Sequence, residues 1–263
     1  MKNIIIIPAR YNSTRFPGKP LEKIKGKSLI HRTWSIAKSV KDIDEVYVAT
    51  DHTGIQNHAI DFGAKVIMTD DCSNGTERAF AAAKVLAIKE SDLVINLQGD
   101  AVLTPPWTIQ ELVDRMKADN TLTISTLAVQ ITPNEYTEMK TSKMQGNVGG
   151  SMVVFDKNYN ALYFSKSMIP YVRDSKRDNL PLYRHIGLYA YRFSVLKKYV
   201  SLPETCLEKI EGLEQLRALE NGIPMRIIVV DYKGRTHSSI DSPNDVELVE
   251  RIIEKEGELV SFN

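Results

Sequence analysis

Three cations crowd into one short loop of this chain: Arg10, Arg15 and Lys19, with Asn12, Ser13 and Thr14 between them. Pro8, Pro17, Gly18 and Pro20 stiffen the same stretch and prevent it from continuing a strand or a helix. Guanidinium, ammonium and hydroxyl groups on such a loop suit a polyphosphate. Phosphoryl or nucleotidyl transfer asks chiefly for positioning and for neutralisation of developing negative charge. The spacing is not a Walker A loop, and no G-x-G-x-x-G occurs to suggest a nicotinamide cofactor. A solvated basic loop is the plain alternative, and what precedes the loop weighs against it. Asp100, in Gln98-Gly99-Asp100, adds a carboxylate that has no obvious structural duty.

The elements that must position these groups follow from hydrophobic pattern. Ile4–Ile7 is too short for a helix and reads as a fully buried strand of a parallel sheet, delivering the cationic loop at its end. Strands are then expected at Glu45–Thr50, Lys65–Met68 and Leu93–Leu97, alternating with helices at Leu29–Val40, Ile55–Phe62 and Thr76–Ala87. Such alternation predicts a doubly wound, mostly parallel α/β sheet with helices on both faces. With strand order 3-2-1-4 the order reverses between the first and fourth strands, and ligands bind at the carboxyl ends there. The Arg10–Lys19 loop and Asp100 then face each other across one crevice, as a metal–nucleotide complex requires.

The second half is less regular. Strands are expected at Leu122–Ile131, Met152–Phe155, Asn160–Ser165, His185–Arg192 and Met225–Asp231, with a glycine-rich loop over Met144–Gly150. Leu207–Glu220 reads as one amphipathic helix with Ile210, Leu213, Leu216 and Leu219 on its apolar side. Pro243–Glu256 reads as a terminal helix opened by Asp241-Ser242-Pro243, where Asp241 has the form of an N-cap. The chain is expected to be a single domain over 1–263, with a nucleotide-binding core at about 1–130 and 224–263. A smaller α+β lobe at about 131–223 would cover the cleft.

Bulk composition excludes several classes. A net charge of +1 offers nucleic acid or membrane nothing to bind, so any anion site must come from local clustering. Two cysteines, Cys72 and Cys206, form neither a disulfide framework nor a metal-ligand pattern, which suits a reducing cytoplasm. The opening apolar run is too short for a signal peptide, and none reaches membrane-spanning length. The histidines at 31, 52, 58 and 237 form no metal-ligand set in the sequence, and His237 is assigned no role.

PARYNSTRFPGKPL at Pro8–Leu21 resembles the signature of CMP-Kdo synthetases, the 3-deoxy-manno-octulosonate cytidylyltransferases. The resemblance continues through YVATDH (Tyr47–His52), GTER (Gly75–Arg78), NLQGD (Asn96–Asp100) and ALYFSKSMIP (Ala161–Pro170). It extends over RHIGLYAYR (Arg184–Arg192), LEQLRALENG (Leu213–Gly222) and DSPNDVE (Asp241–Glu247), so it spans nearly the whole chain. Sialic acid cytidylyltransferases carry a different first loop and match less well.

The resemblance implies a Rossmann-like fold of the nucleotide-diphospho-sugar transferase type. It implies attack of the anomeric hydroxyl of a 3-deoxy-2-ulosonic acid on the α-phosphate of CTP, releasing pyrophosphate. Arg10, Arg15 and Lys19 match the positions that hold the triphosphate, and Asp100 and Asp241 match the Mg2+ ligands. Magnesium usually takes one or two carboxylates together with substrate phosphates and waters. Ala9, Ser13, Ser73, Gly75 and Arg78 match the remaining nucleotide-side positions. Gln98, Arg173, His185, Tyr189, Glu211, Glu214 and Gln215 fall in blocks that match the sugar side. On a single helix Glu211, Glu214 and Gln215 would share the face opposite the leucines. A homodimer is the family's usual assembly.

The pattern also departs from the family. Gln-Gly-Asp-Glu-Pro is usual where this chain has Gln98-Gly99-Asp100-Ala101-Val102, and Val-Lys-Val-Val is usual where it has Ser151-Met152-Val153-Val154. The nucleotide blocks are intact. The acceptor, Kdo or a variant of it, stays open, as do the pathway (lipopolysaccharide core or capsule) and a catalytically silent, nucleotide-binding paralogue.

Overall fold

The four isoleucines form the hub of the sheet. In the computed structural model, which describes residues 1–12, 16–146, 149–173 and 181–262, β1 (Asn3–Pro8) is buried along its whole length. Two two-residue strands follow, β2 (Lys23–Ile24) and β3 (Lys27–Ser28), before α1 (Leu29–Ser39), capped by the Ser28 side chain. Regular alternation then runs through β4 (Glu45–Thr50), α2 (Thr53–Asp61), β5 (Lys65–Met68), α3 (Gly75–Val85) and β6 (Leu93–Leu97). The chain continues with α4 (Pro106–Ala118), β7 (Ile124–Gln130), α5 (Pro133–Met144), β8 (Met152–Phe155), β9 (Ala161–Ser165) and β10 (Tyr183–Arg192). It closes with α6 (Phe193–Val200), α7 (Cys206–Glu211), α8 (Leu216–Glu220), β11 (Met225–Val229) and α9 (Asn244–Glu256).

The main sheet runs β11-β7-β10-β6-β1-β4-β5, with β8 and β9 appended beside β10. β1 pairs in parallel with β4 on one side and β6 on the other, so the expected 3-2-1-4 order and its reversal are present. Side-chain alternation splits the isoleucines between two cores: Ile5 and Ile7 pack on one face, Ile4 and Ile6 on the other. Burial on both faces is why this strand reads as a continuous apolar run. On the second face α3 presents Ala79, Ala82 and Ala83, small enough for close approach to the sheet.

β10 falls within the 131–223 span expected for the smaller lobe, yet it runs in the sheet between β7 and β6, antiparallel to both. It is the element that brings His185 and Tyr189 to the carboxyl end of β6.

One element needs correction. Leu207–Glu220 is not a single helix: α7 ends at Glu211, and Gly212 adopts φ 59°, a left-handed conformation that suits glycine. The chain bends, Ile210 becomes solvent-exposed rather than joining an apolar stripe, and α8 starts afresh. A buried ion pair between Glu208 and Arg217, 2.6 Å, ties the two short helices together. Three helices outside the expected set, α4, α5 and α6, complete the fold. α5 escapes a search for apolar periodicity because none of its residues is buried. Its start is nonetheless marked in the sequence by the Thr132–Glu135 capping box.

Candidate active site

The cationic loop leaves β1 at Pro8 and is closed at its base, where the Gly18 N–H donates to the Tyr11 carbonyl (2.9 Å). Tyr11 stacks on His52 at the end of β4, with ring centroids 4.1 Å apart and 12° between planes. The loop is therefore anchored to the neighbouring strand. Ser13 and Arg15 lie outside the described residues.

Lys19, just past the loop, reaches across the crevice. Its ammonium donates to Asp100 Oδ2 at 2.6 Å and to the Ile240 carbonyl at 2.8 Å. Asp100 sits in the turn after β6, and Ile240 immediately precedes Asp241. One cation thus joins the two segments that carry the candidate metal ligands, at a point where carboxylate and carbonyl oxygens converge. That oxygen-rich donor chemistry fits Mg2+, which takes carboxylates and carbonyls. Among the described residues no group of three or more His, Cys, Asp and Glu side chains is placed to hold a metal ion. Two carboxylates accord with an ion completed by phosphate oxygens and water.

Asp241 is not the side-chain cap of α9. The cap position is Pro243, and Asp245 closes the first turn by accepting from the N–H groups of Asp241 (2.9 Å) and Ser242 (2.7 Å). The capping duty that would have explained Asp241 structurally belongs to Asp245.

A cavity of ≈ 240 Å³ occupies this crevice, lined by Ala9, Arg10, Lys19, Ser73, Gly75, Arg78, Gln98, Asp100 and Asp241 among others. The Ala9 N–H donates to the Ala49 carbonyl (2.8 Å), which holds this lining residue against the end of β4. Gly75 opens α3, so the positive end of an eleven-residue helix points at the cavity. Close approach explains Gly99, where a Cβ would stand 2.8 Å from the Pro8 carbonyl, while one on Gly75 would meet the movable end of Gln98. Arg78 is buried and paired with Asp51 at 2.6 Å, with a further bond to Thr69 (2.7 Å). Its charge fastens α3 to the ends of β4 and β5, and through them shapes the cavity wall.

A second cavity of ≈ 280 Å³ adjoins the first and shares Gln98 and Asp100 with it. Of the residues placed on the sugar side by resemblance, His185, Tyr189 and Gln215 line it together with Gln98, and so do Arg184 and His237, to which the sequence assigns no role. Burial holds both imidazoles neutral, pushing His185 and His237 down to about 3. His185 Nε2 shares a 2.9 Å hydrogen bond with Thr126 Oγ1. His237 Nδ1, Gln215 Nε2 and Arg184 Nε are sealed from solvent without a hydrogen-bond partner. Three orphaned polar atoms on residues around one cavity mark it as a place for a polar ligand.

Three sugar-side expectations do not reach either cavity. Glu211 accepts from Ser165 Oγ (2.7 Å) and the Lys166 N–H (2.9 Å), so its carboxylate fastens the end of β9. Glu214 accepts from Thr76 Oγ1 at 2.5 Å, and burial raises its pKa. The bend at Gly212 is the reason: it turns Glu211 and Glu214 away from the surface they would share with Gln215 on one continuous helix. Arg173 is exposed and lines neither cavity.

Comparison with known proteins gives a consistent picture. Residues 4–227 match the cytidylyltransferase family model. The 3-deoxy-manno-octulosonate cytidylyltransferase of Maricaulis maris (strain MCS10) is 48% identical, the match covering 99% of this chain and 100% of the relative. The 8-amino-3,8-dideoxy-manno-octulosonate cytidylyltransferase of Shewanella pealeana (strain ATCC 700345 / ANG-SQ1) is 39% identical over 95% and 98% of the two chains. Among solved structures, a CMP:2-keto-3-deoxy-manno-octonic acid synthetase complexed with CTP superposes with TM-score 0.86 at 36% identity, covering 97% of this chain and 100% of that one.

Proposed function

The chain belongs to the 3-deoxy-manno-octulosonate cytidylyltransferase (CMP-Kdo synthetase) family, and on that premise we propose how its cleft carries out CMP transfer from CTP to Kdo or a Kdo variant. The observation that carries the reading is the pair of adjoining cavities sharing Gln98 and Asp100. The first takes CTP, with its triphosphate along Arg10 and Lys19 and its base toward Ser73–Gly75. The second takes the sugar acid. The α-phosphorus then lies at the boundary, where the anomeric oxygen forms the new P–O bond and pyrophosphate leaves toward the cationic loop. Asp100 and Asp241 would hold Mg2+, which supplies charge neutralisation at the phosphates and makes the sugar hydroxyl easier to deprotonate.

His185 is poorly suited to act as acid or base, because burial lowers its pKa to about 3 and its Nε2 is engaged by Thr126. Its part is to shape the acceptor wall. Among the described residues lining the second cavity the one carboxylate is Asp100, already paired with Lys19, and the opposite wall carries the Arg184 guanidinium. An 8-ammonium group would find no counter-charge there, so the lining favours the 8-hydroxy sugar, Kdo. The catalytically silent alternative, raised by Ala101 and Met152, is less favoured because Lys19, Asp100 and Asp241 all border one cavity. No helix among the described residues is long and apolar enough to cross a membrane. A homodimer working in the cytoplasm, where CTP is made, completes the proposal.

Pyrophosphate release from CTP and Mg2+, measured in parallel with Kdo and 8-amino-Kdo, tests it, with 31P NMR identifying the CMP-sugar. Turnover with Kdo preferred is the expected result. No pyrophosphate with either sugar would overturn the function, and preference for the amino sugar would overturn the acceptor assignment.

A further inference from the structure

Arg184 has an odd situation for a cation. It stands on β10 opposite Met152 of β8, and its Nε is closed off from solvent without a hydrogen-bond partner. No ion pair to it exists among the described residues. Desolvation pulls its pKa down from the usual arginine value, the response of a charge whose environment does not repay it. Glu135 and Tyr232 act on it only through space. Glu135 spends its carboxylate on the N–H and hydroxyl of Thr132.

The surroundings hold this guanidinium in place. A Cβ on Gly150 would stand 3.4 Å from Arg184 Nε, so the segment around Gly150 lies directly against it. That segment is fastened by Lys143 of α5, whose ammonium donates to the carbonyls of Gly149 (3.2 Å), Gly150 (2.8 Å) and Lys166. Across the same cavity, His237 Nδ1 and Gln215 Nε2 also lack partners, and both imidazoles there are neutral. Arg184 is therefore the one full positive charge among the described residues lining the second cavity.

We propose that Arg184 binds the carboxylate of the acceptor sugar acid and thereby sets which end of the acceptor enters the cavity. This rests on the functional reading above and adds to it the residue that selects an acid over a neutral sugar. A half-buried guanidinium with its Nε sealed from solvent matches a carboxylate in charge and in its paired donors, and the incoming anion supplies a counter-charge that the described residues do not. With the carboxylate at Arg184, the adjacent anomeric carbon is directed toward Asp100 and the phosphate side of the cleft.

Steady-state kinetics of Arg184→Gln and Arg184→Lys, with Kdo and with its C1 carboxamide as acceptors, test the proposal. In R184Q the KM for Kdo is expected to rise roughly 10- to 100-fold, while the KM for CTP and calorimetric CTP binding stay within about twofold. R184K should fall between. The wild type should discriminate against the carboxamide by a similar factor, and R184Q should lose that discrimination. An unchanged KM for Kdo in R184Q, or equal discrimination in variant and wild type, overturns the proposal. If R184Q does not fold, R184K is read in the same comparison, and unaltered discrimination there overturns it equally. Failure of the functional reading looks different, because the wild type itself would then release no pyrophosphate with Kdo.

Discussion

Lys19 occupies the position a metal ion would contest, which makes Lys19→Met an informative perturbation. Its ammonium lies 2.6 Å from Asp100 Oδ2, with side chains 17% and 26% exposed. A hydrogen bond between charged groups contributes roughly 1.5–3 kcal/mol, and partial exposure discounts this pair to about 1–2 kcal/mol. A divalent cation entering the nucleotide-free site must first displace that ammonium. At 1.4 kcal/mol per tenfold, removing Lys19 should tighten binding of free Mn2+ by roughly 5- to 30-fold. Turnover should move the opposite way, falling by about 100-fold or more as the triphosphate loses a charge that stabilises the transition state. The assay is titration of nucleotide-free protein with Mn2+, followed by the EPR signal of the unbound ion, with K19M/D100N as control. On the proposed function the expected consequence in the wild type is coupled entry: a bound triphosphate would draw Lys19 away and free Asp100 for the ion that arrives with it. If K19M binds Mn2+ no more tightly than wild type, the ion pair does not guard the metal position.

Three other expectations follow from particular contacts. Asp241→Asn should lower kcat by about 100-fold in steady-state assays; Asp245→Ala, which removes the acceptor of the Asp241 and Ser242 N–H groups at the start of α9, should cost about 1 kcal/mol, read by thermal denaturation. Glu208→Gln strands Arg217 in a buried setting, with both side chains under 10% exposed, and should destabilise the fold by roughly 3–5 kcal/mol in urea unfolding. His237 is pushed down to about 3, so below pH 6.5 the unfolded chain takes a proton that the folded chain refuses. Stability from this group is full above about pH 6.5 and is lost as pH falls toward 3, by roughly 1.4 kcal/mol per pH unit. His237→Gln should flatten the stability–pH curve between pH 6.5 and 5.5 by about 1 kcal/mol, and an unchanged slope would refute the desolvated, neutral state.

The nucleotide half of the site was legible because its information is local. A four-isoleucine run announces a strand buried on both faces, and the cations follow it within the same loop. Asp100 needed one further step, the reversal of strand order, which alternation alone supplies. The acceptor half depends on pairings that sequence does not display. Arg184 looks like any strand-flanking arginine until β8 and the Gly150 segment cover it. His237 sits in irregular chain with no period to place it. The helix misjudged at 207–220 shows the opposite case, since Gly212 after Glu211 was an available stop signal that apolar spacing outweighed. The shared face expected of Glu211, Glu214 and Gln215 depended on that continuous helix, whereas the sequence blocks that place them on the sugar side do not.

The two departures from the family pattern also separate once the structure is in view. Met152 is fully buried in a small apolar cluster with Ile131 and Leu182, and lines neither cavity. The cation lost there has a neighbour in Lys143, whose ammonium binds the Gly150 carbonyl two residues upstream. At this position Met152 serves packing, within its apolar cluster. Ala101 is different, because it lines the second cavity, proposed for the acceptor, beside Asp100, where a glutamate would add length and negative charge. An anionic sugar is repelled less by alanine at this position, and more space remains next to the reacting oxygen. Any difference in acceptor choice between this chain and relatives that keep the glutamate should therefore trace to position 101. Ala101→Glu should shift the KM for the sugar acid, while Met152→Lys should be felt mainly as lost stability.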